Sequence, residues 1–572
     1  PPEGRDGLRG VGNGANVLNF STYNFFVQDD WRVRPNLTLN LGLRYETNTV
    51  PRGVIDNIPF FRGVSVPGLD FENVKSDRNN FGPRLGFAYS PEGTGGIRGL
   101  LFGGRGKSSI RGNFAVSYNV SFQNLLLFSA PPQLQQELDL SQILRAQPSF
   151  NTGPGFLERG GLPSLLLPFT GSTTSIRANI GGINDTQALR ASEIYSFALS
   201  YQRELGPTMA MEMRYLGTRS RHLPVQVQAN GIRTPESILV IPTFIGSTPT
   251  AAQLQGLPTL ANVRANVPAR PYASQGFFGG VTSFDKEGNS NYDAASISVT
   301  RRFSRGLAFT TAYTFSKTID DSTNELFSSV INPRRPEFFN NIKREKSLSA
   351  LDVPHRFVFA ANYEVPKFSN GFLRTVLGGF EFAPIFQTQS GFPFTALSGV
   401  DSNLNTDSAP DRTIFNPGGV EGTGSGVRPV GLVNGVVTTL PSNNNAIQAY
   451  VAINPNAQYI QAERGTRSTA GRNTIRSRGF NRTDLTVLKN FRFGEERYNM
   501  QIGAEIFNLF NQRITTISGD PGGDIVNPAL DSRFGVGAGN SAFNNVTSPD
   551  FNDYGLGIYG GRIIQLRAKF IF

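Results

Sequence analysis

Oxygen donors stand at every second residue in Asp401-x-Asn403-x-Asn405-x-Asp407, a spacing that could wrap a calcium ion. Such a loop wants Gly at its sixth position and Glu at its twelfth; here those positions hold Thr406 and Arg412. An Asx-rich turn, whose side-chain oxygens accept from nearby backbone N–H groups, is the plainer alternative. The densest basic run comprises Arg464, Arg467, Arg472, Arg476, Arg478 and Arg482. Planar guanidinium forks suit carboxylates and phosphates, so the run either pairs with carboxylates of a loop or rim, or binds an anionic substrate. Nucleic acid would call for aromatic rings interleaved with the charge. Only Phe480 is near, and no nucleic-acid partner is expected.

Signals for catalysis are poor. The two histidines, His222 and His355, read as lying just outside strand ends in different loops, which gives no zinc pair. Gly106-Lys107-Ser108 resembles the end of a phosphate-binding loop, yet the position needing the first Gly holds Leu101 and a strand pattern follows. It reads as a turn entering a strand. The absence of cysteine removes thiolate nucleophiles, thiolate metal sites and disulfides. A non-enzyme without a cofactor is expected.

The elements that must position these residues have a period of two. Tyr23, Phe25, Val27, Trp31 and Val33 alternate with polar neighbours, and after Arg34-Pro35-Asn36 the stripe resumes with Leu37, Leu39, Leu41, Leu43 and Tyr45. One side of such a ribbon is greasy and the other wet. Similar stripes recur at Leu85–Tyr89, Ile110–Tyr118, Tyr195–Tyr201, Met209–Tyr215, Ile297–Phe303, Leu307–Phe315, Phe357–Tyr363, Phe380–Gln389, Leu485–Phe491, Tyr498–Ile506 and Ile564–Phe572, thirteen strands in all. A content of 46 Phe, 16 Tyr and 63 Gly in 572 residues suits strands and turns. No run reaches the roughly 18 apolar residues of a membrane helix.

Connections of about 3 to 16 residues alternate with connections of about 34 to 92, as the short periplasmic turns and long extracellular loops of an outer-membrane barrel require. The fold class expected is therefore all-β, a transmembrane antiparallel β-barrel. The turns at Pro35, Pro207, Arg305 and Gly494 fall on the periplasmic side. Trp31, Tyr45, Tyr89, Tyr118, Tyr195, Tyr215 and Tyr363 sit towards strand ends, as aromatic girdles do. The wet face carries Arg44, Glu46, Arg111, Asn113, Glu212, Arg214, Gln501, Glu505 and Arg567, of which Arg44 and Arg214 are candidates for substrate contact. A net charge of +11 fits anionic lipid or an anionic ligand, so the loop arginines could also meet lipopolysaccharide phosphates. Leu134, Leu138, Ile143 and Leu144 give Gln133–Gln147 a helical period, and the Gly-, Asn- and Thr-rich stretch 391–482 is expected to be mobile.

Four stretches carry a family resemblance: FFVQDDWRVRPNLTLNLGLRY from Phe25 to Tyr45, YDAASISVTRRFSRGLAFTTAYTFSKTIDD from Tyr292 to Asp321, LDVPHRF from Leu351 to Phe357, and EIFNLFN from Glu505 to Asn511. With them the chain resembles TonB-dependent receptors, and among these the Oar-like group. The resemblance implies a barrel of about 22 strands around an N-terminal plug, of which these are the last thirteen. It implies that residues 1–572 are a partial barrel domain whose plug, TonB-contacting box and N-terminal domain lie upstream. The terminal aromatics Phe570 and Phe572 resemble the signal read by the barrel-assembly machinery. Uptake of an unidentified substrate across the bacterial outer membrane, energised through TonB, is the function implied. A surface adhesin or structural protein anchored by its barrel is the alternative, and a secreted enzyme a distant third.

Overall fold

A computed structural model of the chain describes residues 20–49, 76–119, 190–275, 282–322, 335–366, 368–407, 410–493, 498–512, 544–549, 551–552 and 561–572, with the backbone of the short strands Asp6–Gly10, Gln135–Asp139, Ile183–Asn184, Ile514–Thr515 and Ile558–Tyr559. Alternating β-branched and aromatic residues favour extended backbone, and each stripe forms a strand: β1 Thr22–Arg34, β2 Leu37–Asn48, β3 Phe81–Tyr89, β4 Ser108–Asn119, β5 Ser192–Gly206, β6 Met209–Gln228, β7 Thr282–Ser304, β8 Leu307–Asp320, β9 His355–Glu364, β10 Phe380–Gln389, β11 Phe480–Phe493, β12 Tyr498–Phe507 and β13 Ile563–Ile571. They form one sheet in chain order, with two short pieces, Ile183–Asn184 and Ser347–Leu348, paired off the main path. Each β-strand of the path is antiparallel to its neighbours.

Turn chemistry sets the tight ends. Pro35 and Pro207 each open a two-residue connection with φ already fixed for a turn. Between β7 and β8 the link is Arg305-Gly306, at φ 52° and 79°, the doubly left-handed conformation that matches the twist of a hairpin. A Cβ on Gly306 would stand 2.6 Å from the Glu364 carbonyl oxygen, so glycine is required there for space as well. The expected turn at Gly494 lies outside the described residues.

Register shows how cleanly the faces separate. One row across β10 to β13 runs Ala383, Thr486, Glu505 and Gln565, and the adjacent row runs Pro384, Leu485, Ile506 and Ile564. At the other end, Gly42, Arg84, Ala115, Ser196 and Thr218 form a polar row beside Leu41, Leu85, Phe114, Phe197 and Gly217. The apolar face is bare even on strands paired on both sides: Leu199 is 52% exposed, Phe315 51% and Leu85 49%. A sheet in water would cover such a face. Aromatic rings tile it across strands, as with Tyr45 and Phe81 at 4.8 Å between centroids. Glycines make room for two rings, since a Cβ on Gly112 would lie 2.3 Å from the Phe87 ring and one on Gly217 2.2 Å from the Phe197 ring.

Three expectations are corrected here. Within Gln133–Gln147, Gln135–Asp139 is a strand paired antiparallel with Asp6–Gly10, because a ladder of backbone hydrogen bonds outweighs a helical spacing of a few leucines. His222 lies inside β6, at φ 56°, where the register against β7 shifts around Gly288; the bulge interrupts the alternation and hides the strand's length. His355 is the first residue of β9. The stretch 391–482 is folded, as described below.

Gly217→Val forces its side chain into the Phe197 ring. We expect a loss of about 1–3 kcal/mol of stability, read as earlier heat-induced mobility change of the folded protein on a gel, with most of it recovered when Phe197→Leu is added.

Candidate functional site

Antiparallel order places the long connections at one end of the sheet, and four of them fold together into a cap. The β10–β11 connection, 390–479, is the centre. Its strands Val427–Val433, Val436–Thr439 and Ala449–Ala452 form a sheet with Thr243–Phe244 from the β6–β7 connection. Thr250 with Gln253, and Thr259 with Asn262, make two capping boxes that start the short helices Ala251–Leu254 and Leu260–Ala265. These helices bury Leu254, Leu260 and Val263 beside Ile241, Val430, Ile447 and Tyr450. The β12–β13 connection joins through Leu397, whose N–H donates to the Asn544 carbonyl at 2.8 Å and whose carbonyl accepts from Val546 N–H at 3.1 Å. An apolar core drawn from distant loops explains why local composition suggested mobility and structure shows packing.

The arginines of the basic run pair with carboxylates, and Arg472 ties this cap to a strand of the sheet. Arg472 is buried and its guanidinium contacts the Asp320 carboxylate at the end of β8. Arg476 reaches Asp352 at 2.6 Å and donates to the Gly391 carbonyl at 2.8 Å. Arg464 pairs with Glu463, and Arg467, largely exposed, pairs with Glu236 at 2.8 Å. Arg482 pairs with Asp484 on β11, while Arg478 is exposed and also engaged.

Beside them lies a cluster that sequence reading missed. Arg412 is buried between Glu337 at 2.7 Å and Glu345 at 2.8 Å. Burial opposes its charge, but the two carboxylates hold it protonated above the usual arginine range. Burial pushes the Asp411 carboxyl well above the ordinary carboxylate range, and the Glu337 charge adds to this. Asp411 accepts from Ser402 N–H and from the Asn403 amide. No local pattern announces the cluster, because Arg412 and Glu337 are 75 positions apart.

Asp401, Asn403, Asn405 and Asp407 adjoin this cluster. Asp401 accepts from Asn405 N–H at 3.0 Å and Thr406 N–H at 2.9 Å, Asn403 from Asn405 N–H at 3.1 Å, and Asn405 from Asp407 N–H at 2.8 Å. Asp407 is gripped by the Arg335 guanidinium. This is the geometry of successive Asx turns. Among the described residues no group of three or more His, Cys, Asp or Glu is arranged to hold a metal ion.

The wet face of the sheet forms a second candidate region. Arg44 pairs with Glu46 at 3.1 Å and donates to Asn24 at 3.0 Å, and Arg567 pairs with Glu505 at 3.2 Å. Arg214 lies in a recess of about 520 Å³ whose wall also holds Arg84, Arg111, Asn113 and Glu212. Arg84 adds to the residues expected on this face, and the stripe Leu85, Phe87, Tyr89 carries the signal for it. The terminal aromatics are on the bare face, with Phe570 stacked on Tyr498 at 6.1 Å and Phe572 91% exposed.

Arg472→Met leaves the Asp320 carboxylate buried without its guanidinium. We expect the cap to lose about 3–5 kcal/mol of local stability, seen as faster protease nicking within 391–479. Arg467→Gln, at an exposed pair, is expected to change it by less than about 0.5 kcal/mol.

No curated protein matches the chain in sequence. Among solved structures it is similar to the outer membrane transporter YddB from Escherichia coli (10% identity, TM-score 0.39, covering 88% of this chain and 43% of that one). It is also similar to the FrpB iron transporter from Neisseria meningitidis (11%, 0.37, 87% and 43%) and the siderophore receptor PiuA from Acinetobacter baumannii (9%, 0.35, 86% and 39%). The chain thus spans less than half the length of each of these proteins. The family model described as outer membrane beta barrel domain matches residues 7–565. The chain belongs to the outer membrane beta barrel domain family, and its place is the bacterial outer membrane.

Proposed function

We propose that the chain is the barrel portion of a TonB-dependent receptor of the Oar-like group, taking up a substrate that the cap and the wet face recognise. The observation that carries this reading is the pairing of an exposed apolar face and a recessed polar face on one sheet, with a folded cap at the end of the long connections. The four sequence stretches named above support the family assignment. Energy would come from an inner-membrane complex acting through a plug, and the exposed arginines of the cap, Arg467 and Arg478, would meet lipopolysaccharide phosphates or an anionic substrate. Phe570 and Phe572 would serve the barrel-assembly machinery.

Strand parity supports a larger closed barrel. Among the described residues the main path has thirteen antiparallel strands, which leaves β1 and β13 running in the same direction, and every residue of both is exposed. Unpaired edges do not persist in hydrocarbon, and single-chain bacterial barrels close with an even number of strands. An odd number of further strands would satisfy both conditions, and a total of about 22 does.

A surface anchor is the second reading, and the folded cap favours it, since a rigid extracellular unit can serve adhesion without transport. Growth on a panel of ferric chelates, glycans and peptides separates the two. We expect strains lacking this gene or the TonB complex to fail on the same nutrient, with the intact gene restoring growth only where the complex is present. Restoration without the complex would contradict energised transport.

A further inference from the structure

Three guanidinium groups line the recess on the wet face: Arg84 on β3, Arg111 on β4 and Arg214 on β6. All three side chains are exposed to it. Elsewhere on the same face Arg44, Arg482 and Arg567 each have a carboxylate within 3.2 Å. Among the described residues Arg84, Arg111 and Arg214 have no such mate; Arg111 donates only to the Ser109 hydroxyl, at 3.2 Å. Glu212 is the one carboxylate on the wall, so the recess carries an excess of positive charge.

Register fixes the layout. Arg111 and Arg214 both stand opposite Ser200, one on each side, about 10 Å apart across two strand spacings. Arg84 lies nearer β1 on the far side of Gly86 and Asn113, which are paired to each other. Gly42 and Gly86 have no side chain to fill the floor between them, and the Asn113 and Gln202 amides line the rim. A concave wall of one sign concentrates counter-charged solutes, and guanidinium forks bind oxyanions in two-point fashion.

We propose that this recess is a binding site for a ligand bearing more than one carboxylate or phosphate group. The proposal rests on the polar face being the aqueous side of a barrel. The oxyanions can come from a free polyanionic solute or from acidic side chains of a protein segment seated in the barrel, and the chemistry of capture is the same.

The test uses the intact full-length protein in detergent micelles, titrated calorimetrically with inorganic tripolyphosphate at low salt. It compares wild type, the triple variant Arg84→Gln, Arg111→Gln, Arg214→Gln, and Gly86→Leu. The last fills the recess without touching charge, and its Cβ would meet nothing closer than the Asn40 Oδ1 at 3.4 Å. Arg356→Gln, an exposed residue on β9 outside the recess, is the control. We expect saturable binding that weakens about tenfold or more in the triple variant and in Gly86→Leu, with the control unchanged. If the protein's own carboxylates occupy the site, wild type will not bind the probe. The triple variant will then melt about 5 °C lower than the control, and roughly 0.5 M salt will lower wild type similarly. Binding that survives both recess variants, or no binding together with unchanged melting, would overturn the proposal. The titration needs no energy complex, so intact binding with failed uptake would count against transport and leave the recess standing.

Discussion

Backbone N–H and C=O groups held in hydrocarbon must find partners inside the protein, because no water is there to take them. A long antiparallel ladder satisfies that demand strand by strand, and the side chains then face two solvents at once. Most of what distinguishes this molecule follows. The row Pro384, Leu485, Ile506, Ile564 is tolerable as a bare surface only against lipid. The row one residue away, Ala383, Thr486, Glu505, Gln565, needs water or polar partners. A shift of one residue in any strand would exchange the two rows, so register is strongly specified.

The cap obeys a different rule. Freed from lipid, its connections fold as a water-soluble protein does, with Leu254, Leu260, Ile447 and Tyr450 buried and the buried guanidinium groups of Arg412 and Arg472 each met by carboxylate. Arg472 with Asp320, and Arg412 between Glu337 and Glu345, join segments that are remote in sequence. Removing one partner of such a pair costs far more than the pair itself contributes, because the other charge is left desolvated. Loop ends anchored in this way give a binding surface a fixed shape, which suits either recognition of a solute or contact with another cell.

The sheet was legible in the sequence because its physics is local. Alternation from Leu37 to Tyr45 specifies a face, Pro35 a turn, and Arg305-Gly306 a hairpin, each within a few residues. The same parity puts Arg44, Arg111 and Arg214 on the wet face. The cap was not legible. Arg412 and Glu337 meet across 75 positions, and Leu260 N–H donates to the carbonyl of Ile447 from another connection. Neither contact leaves a periodic trace, so the Gly- and Asn-rich composition of 391–482 pointed to a mobile loop. His222 sits at the point where a bulge breaks the alternation of β6, and the strand continues beyond it unseen.

The two-solvent sheet can be tested directly, because the sequence contains no cysteine and a single introduced thiol reports without background. Thr486→Cys, Val487→Cys, Gln565→Cys and Leu566→Cys place probes on adjacent residues of opposite face in β11 and β13. Each variant of the intact protein is labelled with a fluorophore and reconstituted in vesicles with lipid brominated along its acyl chains. Strong quenching at Val487 and Leu566 with little at Thr486 and Gln565 is the result the account predicts. Equal quenching at neighbouring positions, or the reverse pattern, would contradict it.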